Sequence, residues 1–362
     1  MAIPLQRDQE LTAKAVTSWL ERTIEGASDV TVANLSAPPT SGFSNETILA
    51  DASWKDAGGQ TVTEDLVIRV KPTGYQVFLE SDFELQHKML QVLDQQTDVP
   101  VPQVLWAEQD ESVLGAPFFV MRKVTGSPAP DQPPYNSGGW LFESTPAERN
   151  VVWKAGVDAL VGVHQVPTST VDFIAKPELG ATGLDQIFEY WRRSYEWACR
   201  GDEYRIAKAG LEWMEANMPA ERPTALSWGD ARIGNLLFHE GKVQAVLDWE
   251  MLSLGGHQMD LGWWLFLDQF HSFDVPRLDG LGSRDDTIAI WEAGTGEKAN
   301  DLDWYELFAG FRFAIVLMRI GQMYESSGVS REDRGDMERN NPVLHLMARK
   351  LDIEPPNGSA WG

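Results

Sequence analysis

An eight-residue run that reads WGDARIGN restricts the fold of this chain more than any other segment. Within it, Asp230 and Asn235 each follow a glycine and lie five positions apart. A short apolar stretch at 236–238 follows at once and predicts a strand. A second predicted strand, at 243–247, ends just before Asp248, so the two strands are expected to pair as a hairpin.

Two paired strands bring their ends to one edge, which would place the amide oxygen of Asn235 beside the carboxylate of Asp248. Hard oxygen ligands of this kind suit Mg²⁺ that holds phosphates. Asp230 lies outside that pair and could accept a proton from a hydroxyl group. Asp and Asn are also common in turns because they form local hydrogen bonds. The combination with a hairpin and with Asp260 downstream favours the layout of phosphoryl-transferring kinases.

Length and composition leave room for two domains with a large core, since the chain has 362 residues and 43% of them are apolar. A formal net charge of -24 disfavours binding to nucleic acid or to an anionic membrane. A single cysteine, Cys199, and a first segment without an apolar signal core predict a cytoplasmic protein. The apolar stretch at 307–318 is interrupted by Arg312 and predicts a buried helix.

The order of predicted elements favours an α+β fold, with a strand-rich N-terminal lobe at 1–125 and a larger helical C-terminal lobe at 127–362. A Pro- and Gly-rich connector at 127–139 begins the second lobe. A hairpin turn is predicted at 56–59. Strands are predicted at 47–54, 61–70 and 118–121. A capping pattern at 81–84 predicts the start of a helix, and further helices are predicted at 145–164, 186–198, 204–217, 261–270 and 302–324.

The segment from Trp228 to Asp260, which contains WGDARIGNLLF, VLDWEM and MDLGWW, resembles the aminoglycoside phosphotransferase and choline kinase-like family. The resemblance runs over most of the chain and is greatest to a branch that includes the kinase region of acyl-CoA dehydrogenase-linked proteins. It implies the two-lobed protein-kinase-like fold. It also implies transfer of the γ-phosphate of ATP or GTP, with Mg²⁺, to a hydroxyl group of a small molecule.

The same resemblance assigns roles to residues of the second lobe. Asp230 would be the catalytic aspartate that orients and deprotonates the acceptor hydroxyl, and Arg232 would be a cation near the transferring phosphate. Asn235 and Asp248 would be the metal ligands. Asp260 would support the catalytic loop from behind.

In the first lobe the resemblance implies a nucleotide site of three parts. A loop would cover the phosphates, a cation on the third strand would contact them and pair with a helix glutamate, and hinge backbone groups would bind the adenine. An ordinary turn and helix capping with Ser81 are simpler explanations for some of these residues. The residues so assigned are Gly42, Phe43, Ser44, Asn45 and Thr47 in the loop, Arg69 and Glu84 as the ion pair, and Met121, Lys123 and Val124 in a hinge near 121–126.

Two residues depart from the family pattern. Trp228 stands where the family has histidine at the start of the catalytic loop, and Arg69 stands where lysine is common. Arginine stays charged and can hold phosphate with two hydrogen bonds, but it is not interchangeable with lysine. A nucleotide-binding pseudoenzyme that regulates without turnover, and a structural partner-binding protein, therefore stay open as alternatives.

The acceptor pocket is expected at 190–213 and after Trp263. Aromatic residues there lie near acids such as Glu189 and Glu196, which would suit a cationic hydroxylated ligand such as an aminoglycoside or choline. The same aromatic residues would suit an acyl chain, so a hydroxyacyl-CoA-type thioester is the other acceptor class. His164 and Trp263 are interpreted as core residues. The chain is expected to act as a monomer or a homodimer.

Overall fold

The computed structural model describes residues 7–38, 45–80, 82–330 and 335–360. The chain divides into two compact units. An antiparallel sheet dominates the first and helices dominate the second, which confirms the predicted α+β fold class. The first unit comprises Met1–Gln76 and Pro102–Thr125, and the second comprises Val77–Val101 and Gly126–Gly362.

The sheet of the first unit has five antiparallel strands, three of which lie where the sequence predicted them. The predicted turn joins the second strand to the third: the Gly59 N–H donates to the Asp56 carbonyl at 2.9 Å, and the Asp56 carboxylate accepts from the Gly58 N–H at 2.8 Å. The strands are β1 (Ser28–Ser36), β2 (Glu46–Lys55), β3 (Thr61–Val70), β4 (Val104–Glu108) and β5 (Phe118–Arg122), in the sheet order β1-β2-β3-β5-β4. Strands β1 and β4 were not predicted.

The core of this unit forms between one face of the sheet and two helices, α1 (Gln9–Thr23) and the one-turn α3 (Glu111–Leu114). Side chains alternate along β3, so that Ile68 is buried while Arg69 lies on the other face. Trp19 of α1 packs edge-on against Phe118 with ring centroids 4.8 Å apart. The sequence did not predict α1, although its hydrophobic face completes this core.

Helix α2 (Phe83–Gln96) belongs to the second unit, although the sequence placed it in the first lobe. Ahead of the helix, Glu80 forms a 2.8 Å ion pair with Lys176. After the helix, the carbonyl of Pro100 accepts a hydrogen bond from the Val246 N–H at 2.8 Å. Contacts at both ends therefore join this segment to the second unit, and the predicted boundary near residue 125 coincides only with the later junction.

The second unit contains the five long helices predicted for it. Its small hairpin has the strands β6 (Leu236–His239) and β7 (Lys242–Val246), close to the predicted positions. The other described helices of this unit are α4 (Trp140–Glu143), α5 (Pro146–His164), α6 (Gly183–Cys199), α7 (Arg205–Ala216), α8 (His257–His271), α9 (Arg284–Thr295), α10 (Leu302–Ser326) and α11 (Pro342–Leu351). Of these, α4, α9 and α11 were not predicted.

Helix α10 is the long apolar helix that the sequence predicted to be buried. By length and composition it could cross a membrane, but 78% of its most apolar window is buried inside the protein. Helix α8 approaches it closely because Gly262 has no side chain. A Cβ on Gly262 would lie 2.6 Å from the Cβ of Tyr305 on α10. This contact fixes α8, whose first turn carries Asp260.

We expect Gly262→Ala to lower the free energy of unfolding by about 1–3 kcal/mol, because the added methyl group overlaps the backbone of Tyr305. The matched control is Gly162→Ala in α5, where nothing lies within 4 Å of the new Cβ. That change should be neutral or should stabilise by up to ~1 kcal/mol. Denaturant unfolding of both variants measures the difference, and equal effects would contradict the close approach of α8 to α10.

Candidate active site

The carboxylate of Asp260 lies behind the loop that the sequence singled out. It is fully buried, and each of its oxygens accepts two hydrogen bonds. Oδ1 accepts from the Ser227 hydroxyl at 2.7 Å and from the Gly229 N–H at 2.8 Å. Oδ2 accepts from the Trp228 N–H at 2.6 Å and from His164 Nε2 at 3.0 Å. Three donors at the start of the loop and one at the end of α5 thus use the full acceptor capacity of the carboxylate.

His164 carries its proton on Nε2. Its Nδ1 lies 2.9 Å from the indole nitrogen of Trp291, and an indole N–H can only donate. Nδ1 therefore accepts, and the neutral imidazole donates to Asp260 through Nε2. Burial alone would raise the pKa of Asp260, but the hydrogen bonds from His164, Gly229 and Ser227 outweigh it and hold the pKa below its ordinary value. His164 is a core histidine, as the sequence indicated, and it also supports the loop.

Gly229 turns the chain immediately before the expected catalytic aspartate. Its φ is +97°, in the region that favours glycine, and a Cβ there would overlap the carbonyl oxygen of Met251. Its own carbonyl accepts a hydrogen bond from Arg312 Nη2 at 2.6 Å. Arg312 is buried and lies 4.4 Å from the ring centroid of Trp263. Burial lowers the pKa of Arg312 to about 10, so a charged guanidinium lies beneath the loop at neutral pH.

Trp228, where the family pattern has histidine, ties the loop to the hairpin. Its ring is fully buried, and its indole N–H donates to the carbonyl of Leu247 at 2.8 Å. The Leu247 N–H in turn donates to the carbonyl of Asn235 at 2.9 Å. The ring also packs against Trp249, with centroids 5.9 Å apart. Trp228 therefore supports the loop and also fixes the residue that precedes Asp248.

Asp230, the expected base, accepts hydrogen bonds from three side chains. Oδ1 accepts from the indole N–H of Trp263 at 2.7 Å. Oδ2 accepts from Asn235 Nδ2 at 2.6 Å and from Arg232 Nε at 3.3 Å. The side chain is 15% exposed, which is enough for a ligand to reach it. Trp263 was interpreted as a core residue, and its burial agrees, but its N–H makes it part of the site.

Arg232, expected near the transferring phosphate, lies between two carboxylates. Its Nη1 lies 2.7 and 2.8 Å from the two oxygens of Asp131, while its Nε contacts Asp230. Burial would lower the pKa of Arg232, but the charges of Asp131, Asp230 and Asp248 outweigh it and raise the pKa. The contact of Arg232 with a phosphate stays a prediction. Asp131 was not predicted to belong to the site, because it lies in a segment with the composition of a loop.

Asn235 and Asp248 come from segments that the Leu247–Asn235 hydrogen bond joins, as expected for the hairpin. Asn235 is buried and turns its amide nitrogen toward Asp230, so its amide oxygen faces the opposite way. Asp248 adopts a left-handed conformation with a φ of +62°. An amide oxygen and a carboxylate fit Mg²⁺, which keeps several waters and binds phosphates with one or two protein ligands. Among the described residues, no group of three or more His, Cys, Asp or Glu offers a different metal site.

In the first unit, two residues predicted to bind nucleotide are neighbours. Thr47 and Arg69 pair across β2 and β3, and Arg69 Nη1 donates to the Thr47 hydroxyl at 3.2 Å. Asn45, just before β2, is buried. Arg69 and Glu84 belong to different units, so their ion pair stays a prediction. The predicted loop residues outside the described part of the chain are Gly42, Phe43 and Ser44.

The predicted hinge begins at the end of β5. Met121 lies inside the sheet, paired with both β3 and β4, and it is buried. The Lys123 N–H donates to the Asp65 carbonyl at 2.8 Å, so this group is committed to the first unit. The carbonyl of Lys123 and the backbone of Val124 follow the end of the strand. Their contact with adenine stays a prediction.

The acids on α6 that were expected to suit a cationic acceptor are paired with arginines. Glu189 forms 2.7 Å ion pairs with both Arg192 and Arg193. Arg192 also pairs with Glu196. The hydrogen bond from Arg192 outweighs burial and lowers the pKa of Glu189 to about 2. These four side chains carry no net charge together, so they offer little attraction to a cation.

We expect Asp260→Asn to lower the free energy of unfolding by roughly 3–5 kcal/mol at pH 7, because the new amide nitrogen would face two donors. The depressed pKa of Asp260 means that the wild-type chain has this stability above about pH 4 and loses it as the pH falls further. Thermal unfolding measures the loss. The control is Asp29→Asn, which removes the charge of an exposed aspartate paired with Lys55 and should change the stability little. A similar small effect of both changes would contradict the role of Asp260.

Comparisons with known proteins show the family to which the chain belongs. Residues 37–294 match the model of the phosphotransferase enzyme family. Acyl-CoA dehydrogenase family member 10 of Mus musculus is 26% identical over 296 residues, which are 78% of this chain and 26% of that protein. Acyl-CoA dehydrogenase family member 11 of Homo sapiens is 25% identical over 284 residues, which are 74% of this chain and 34% of that protein. The chain thus matches only about a quarter to a third of the length of these two relatives.

Solved structures share the fold. A candidate aminoglycoside phosphotransferase from Ralstonia eutropha JMP134 is 25% identical with a TM-score of 0.66, covering 94% of this chain and 98% of that one. A mutant of the aminoglycoside phosphotransferase APH(4)-Ia, in a ternary complex with ADP and hygromycin B, is 14% identical with a TM-score of 0.57 over 93% of this chain and 98% of that one. The second likeness concerns the kinase-like fold alone. Because the family match covers most of its length, the chain belongs to the phosphotransferase enzyme family.

Proposed function

We propose that this chain transfers the γ-phosphate of ATP or GTP to a hydroxyl group of a small molecule. The observation that carries the proposal is the convergence of Asp230, Asn235 and Asp248 on a loop and hairpin held by Asp260 and Trp228. The acceptor oxygen would attack phosphorus as the bond to the leaving nucleoside diphosphate breaks. Asp230 would receive the proton of the hydroxyl.

The amide oxygen of Asn235 and the carboxylate of Asp248 would hold Mg²⁺. When bound, this ion neutralises charge on the phosphates. The chain contributes by fixing both oxygens in advance: Asp230 orients the Asn235 amide, and Leu247 anchors the backbone beside Asp248. Such preorganisation is a large part of catalysis in this reaction class.

We propose that residues of the first unit bind the nucleotide. These are the loop at 42–47, Arg69, and the backbone from Met121 to Val124. Support comes from fold neighbours described in complex with ADP and with AMP-PNP. Arg69 on β3 lies against Thr47, near the start of the strand that follows the loop, and this placement is consistent with the role.

The alternative is a nucleotide-binding pseudoenzyme, which Trp228 and Arg69 suggested. The hydrogen bonds of Trp228 weigh against it, because they support the loop on both sides without a histidine at position 228. Arg69 keeps a positive charge where the family commonly has lysine. Nucleotide binding without transfer to any acceptor would favour the alternative.

For the acceptor, we propose a hydroxylated acyl thioester in preference to an aminoglycoside or choline. The carboxylates of Glu189 and Glu196 are paired with arginines, which weakens the case for a cation. The chain is also similar to part of two proteins named as acyl-CoA dehydrogenase family members. An aminoglycoside phosphotransferase activity would instead fit the structural neighbours.

We also propose a cytoplasmic monomer or homodimer that binds neither nucleic acid nor a membrane. The net charge of -24 supports the second part, because it repels phosphate backbones and anionic lipids. The burial of α10 gives that apolar helix a role in the core.

Asp230→Ala should abolish phosphoryl transfer, with a loss of at least ~100-fold in kcat, because no carboxylate remains to take the hydroxyl proton. Nucleotide affinity should stay within a few-fold, since Asp230 is not an expected ligand of the nucleotide. A coupled assay of nucleoside diphosphate release, run over hydroxyacyl thioesters, aminoglycosides and choline, uses this variant as its blank. A rate near that of the wild type would show that Asp230 is not the base.

Asp248→Asn should weaken Mg²⁺-dependent nucleotide binding by roughly 10-fold or more, because one charged oxygen ligand is lost. Asparagine tolerates the left-handed backbone at this position, so the change should not strain the chain. Calorimetry with a non-hydrolysable nucleotide, with and without Mg²⁺, measures binding independently of turnover. Unchanged affinity in the presence of Mg²⁺ would count against the metal site.

A further inference from the structure

The connector at 127–139 is an ordered part of the second unit. Ser127 pairs with Phe238 of β6 through two backbone hydrogen bonds, at 2.9 and 3.0 Å. Tyr135 packs on the ring of His271, with centroids 4.7 Å apart. Asp131 lies between these two anchors, and they hold it beside the catalytic loop.

The carboxylate of Asp131 holds the guanidinium of Arg232 with Nη1 at 2.7 and 2.8 Å from its two oxygens. Space for this pair is left by Gly234, whose Cβ would overlap Nη1 of Arg232 and lie 3.0 Å from Asp131 Oδ1. The backbone of Gly234 is not left-handed, so space, and not conformation, calls for glycine there. Two separate features of the chain thus serve one ion pair.

The position of Arg232 decides which oxygen of Asp230 remains open. Each carboxylate oxygen can accept about two hydrogen bonds. Oδ2 already accepts two, from Asn235 and Arg232, whereas Oδ1 accepts one, from Trp263. The remaining lone pair is therefore on Oδ1, and this oxygen is the one available to an acceptor hydroxyl.

We propose that Asp131 is a positioning residue for the phosphoryl transfer. It keeps Arg232 on Oδ2 of Asp230 and so leaves Oδ1 open for the acceptor proton. The inference rests on the proposed function of Asp230 as the base. Asp131 would act through Arg232 and would not touch the substrate.

The charges around Arg232 explain why Asp131 is needed to keep Oδ1 of Asp230 open. The charges of Asp131 and Arg232 cancel, so the pair adds no net charge beside Asp230, and the guanidinium orients that carboxylate. His271 lies 3.6 Å from Asp131, but burial lowers its pKa to about 4, so it is neutral at pH 7. Without the charge of Asp131, the guanidinium of Arg232 would rotate toward Asp230, the nearest remaining carboxylate, and would donate hydrogen bonds to both of its oxygens. The lone pair on Oδ1 would then be covered.

The test is Asp131→Asn, which keeps the size of the side chain and removes its charge. We expect kcat to fall roughly 10- to 100-fold, as for residues that orient a catalytic group. The KM values for nucleotide and acceptor should stay within about 3-fold, since Asp131 is not proposed to contact either ligand. Asp158→Asn, which breaks the exposed Lys154–Asp158 pair on α5, is the matched control and should leave kcat unchanged.

A double-mutant cycle separates positioning from a general structural effect. In an Arg232→Gln background no guanidinium remains to turn, so adding Asp131→Asn should change kcat by less than about 3-fold. Gly234→Ala keeps every charge, but its added methyl group would displace the guanidinium of Arg232. It should therefore lower kcat by a similar factor to Asp131→Asn. This second variant tests the proposal even if Asp131→Asn fails to fold.

The inference is overturned if Asp131→Asn and Gly234→Ala both leave kcat unchanged, or if Asp131→Asn costs the same factor with and without Arg232. Failure of the proposed function would look different: the wild-type chain itself would then transfer no phosphate to any acceptor.

Discussion

Four hydrogen bonds to one buried carboxylate, that of Asp260, hold the candidate site together. They come from the hydroxyl of Ser227, two consecutive loop amides and the Nε2–H of His164. A buried carboxylate is costly unless all its lone pairs are used, and here they are. The turn at Gly229, the hydrogen bond from Trp228 to the hairpin and the placement of Asp230 all depend on this anchor.

The anchor also makes the unusual first residue of the loop understandable. Trp228 reaches Asp260 through its backbone, which any residue could do, and reaches Leu247 through its indole N–H, which few could. The loop and the hairpin are thereby one rigid piece, with Asn235 and Asp248 at neighbouring points. On the other side, Arg312 donates to Gly229 and stacks on Trp263, which itself donates to Asp230. Arg312 and Arg232 thus offset part of the negative charge of the carboxylates around the loop.

The sequence was informative where spacing alone determines geometry. Local sequence patterns predicted the hairpin of β6 and β7, the capped start of α5 and the turn at 56–59. The hairpin pattern also predicted that Asn235 and Asp248 lie next to the ends of its two strands. Contacts between residues far apart in the sequence could not be predicted. Asp131 lies in a Pro- and Gly-rich segment with no periodicity, and only tertiary packing brings it to Arg232, 101 positions away. Trp263 lies in an apolar helix, and that pattern does not show that its indole N–H donates to Asp230. The attachment of α2 to the second unit depends on contacts between residues distant in sequence, such as the Glu80–Lys176 ion pair and the hydrogen bond from Val246 to Pro100.

The role of Asp260 in fixing the loop at 228–235 is tested most directly by hydrogen–deuterium exchange at the amides of Trp228 and Gly229. Both donate to a fully buried carboxylate, so they should exchange as slowly as interior amides of α8. The exposed amide of Gly58, which donates to a side chain in a surface turn, supplies the fast reference. Exchange at Trp228 and Gly229 as fast as at Gly58 would contradict the account.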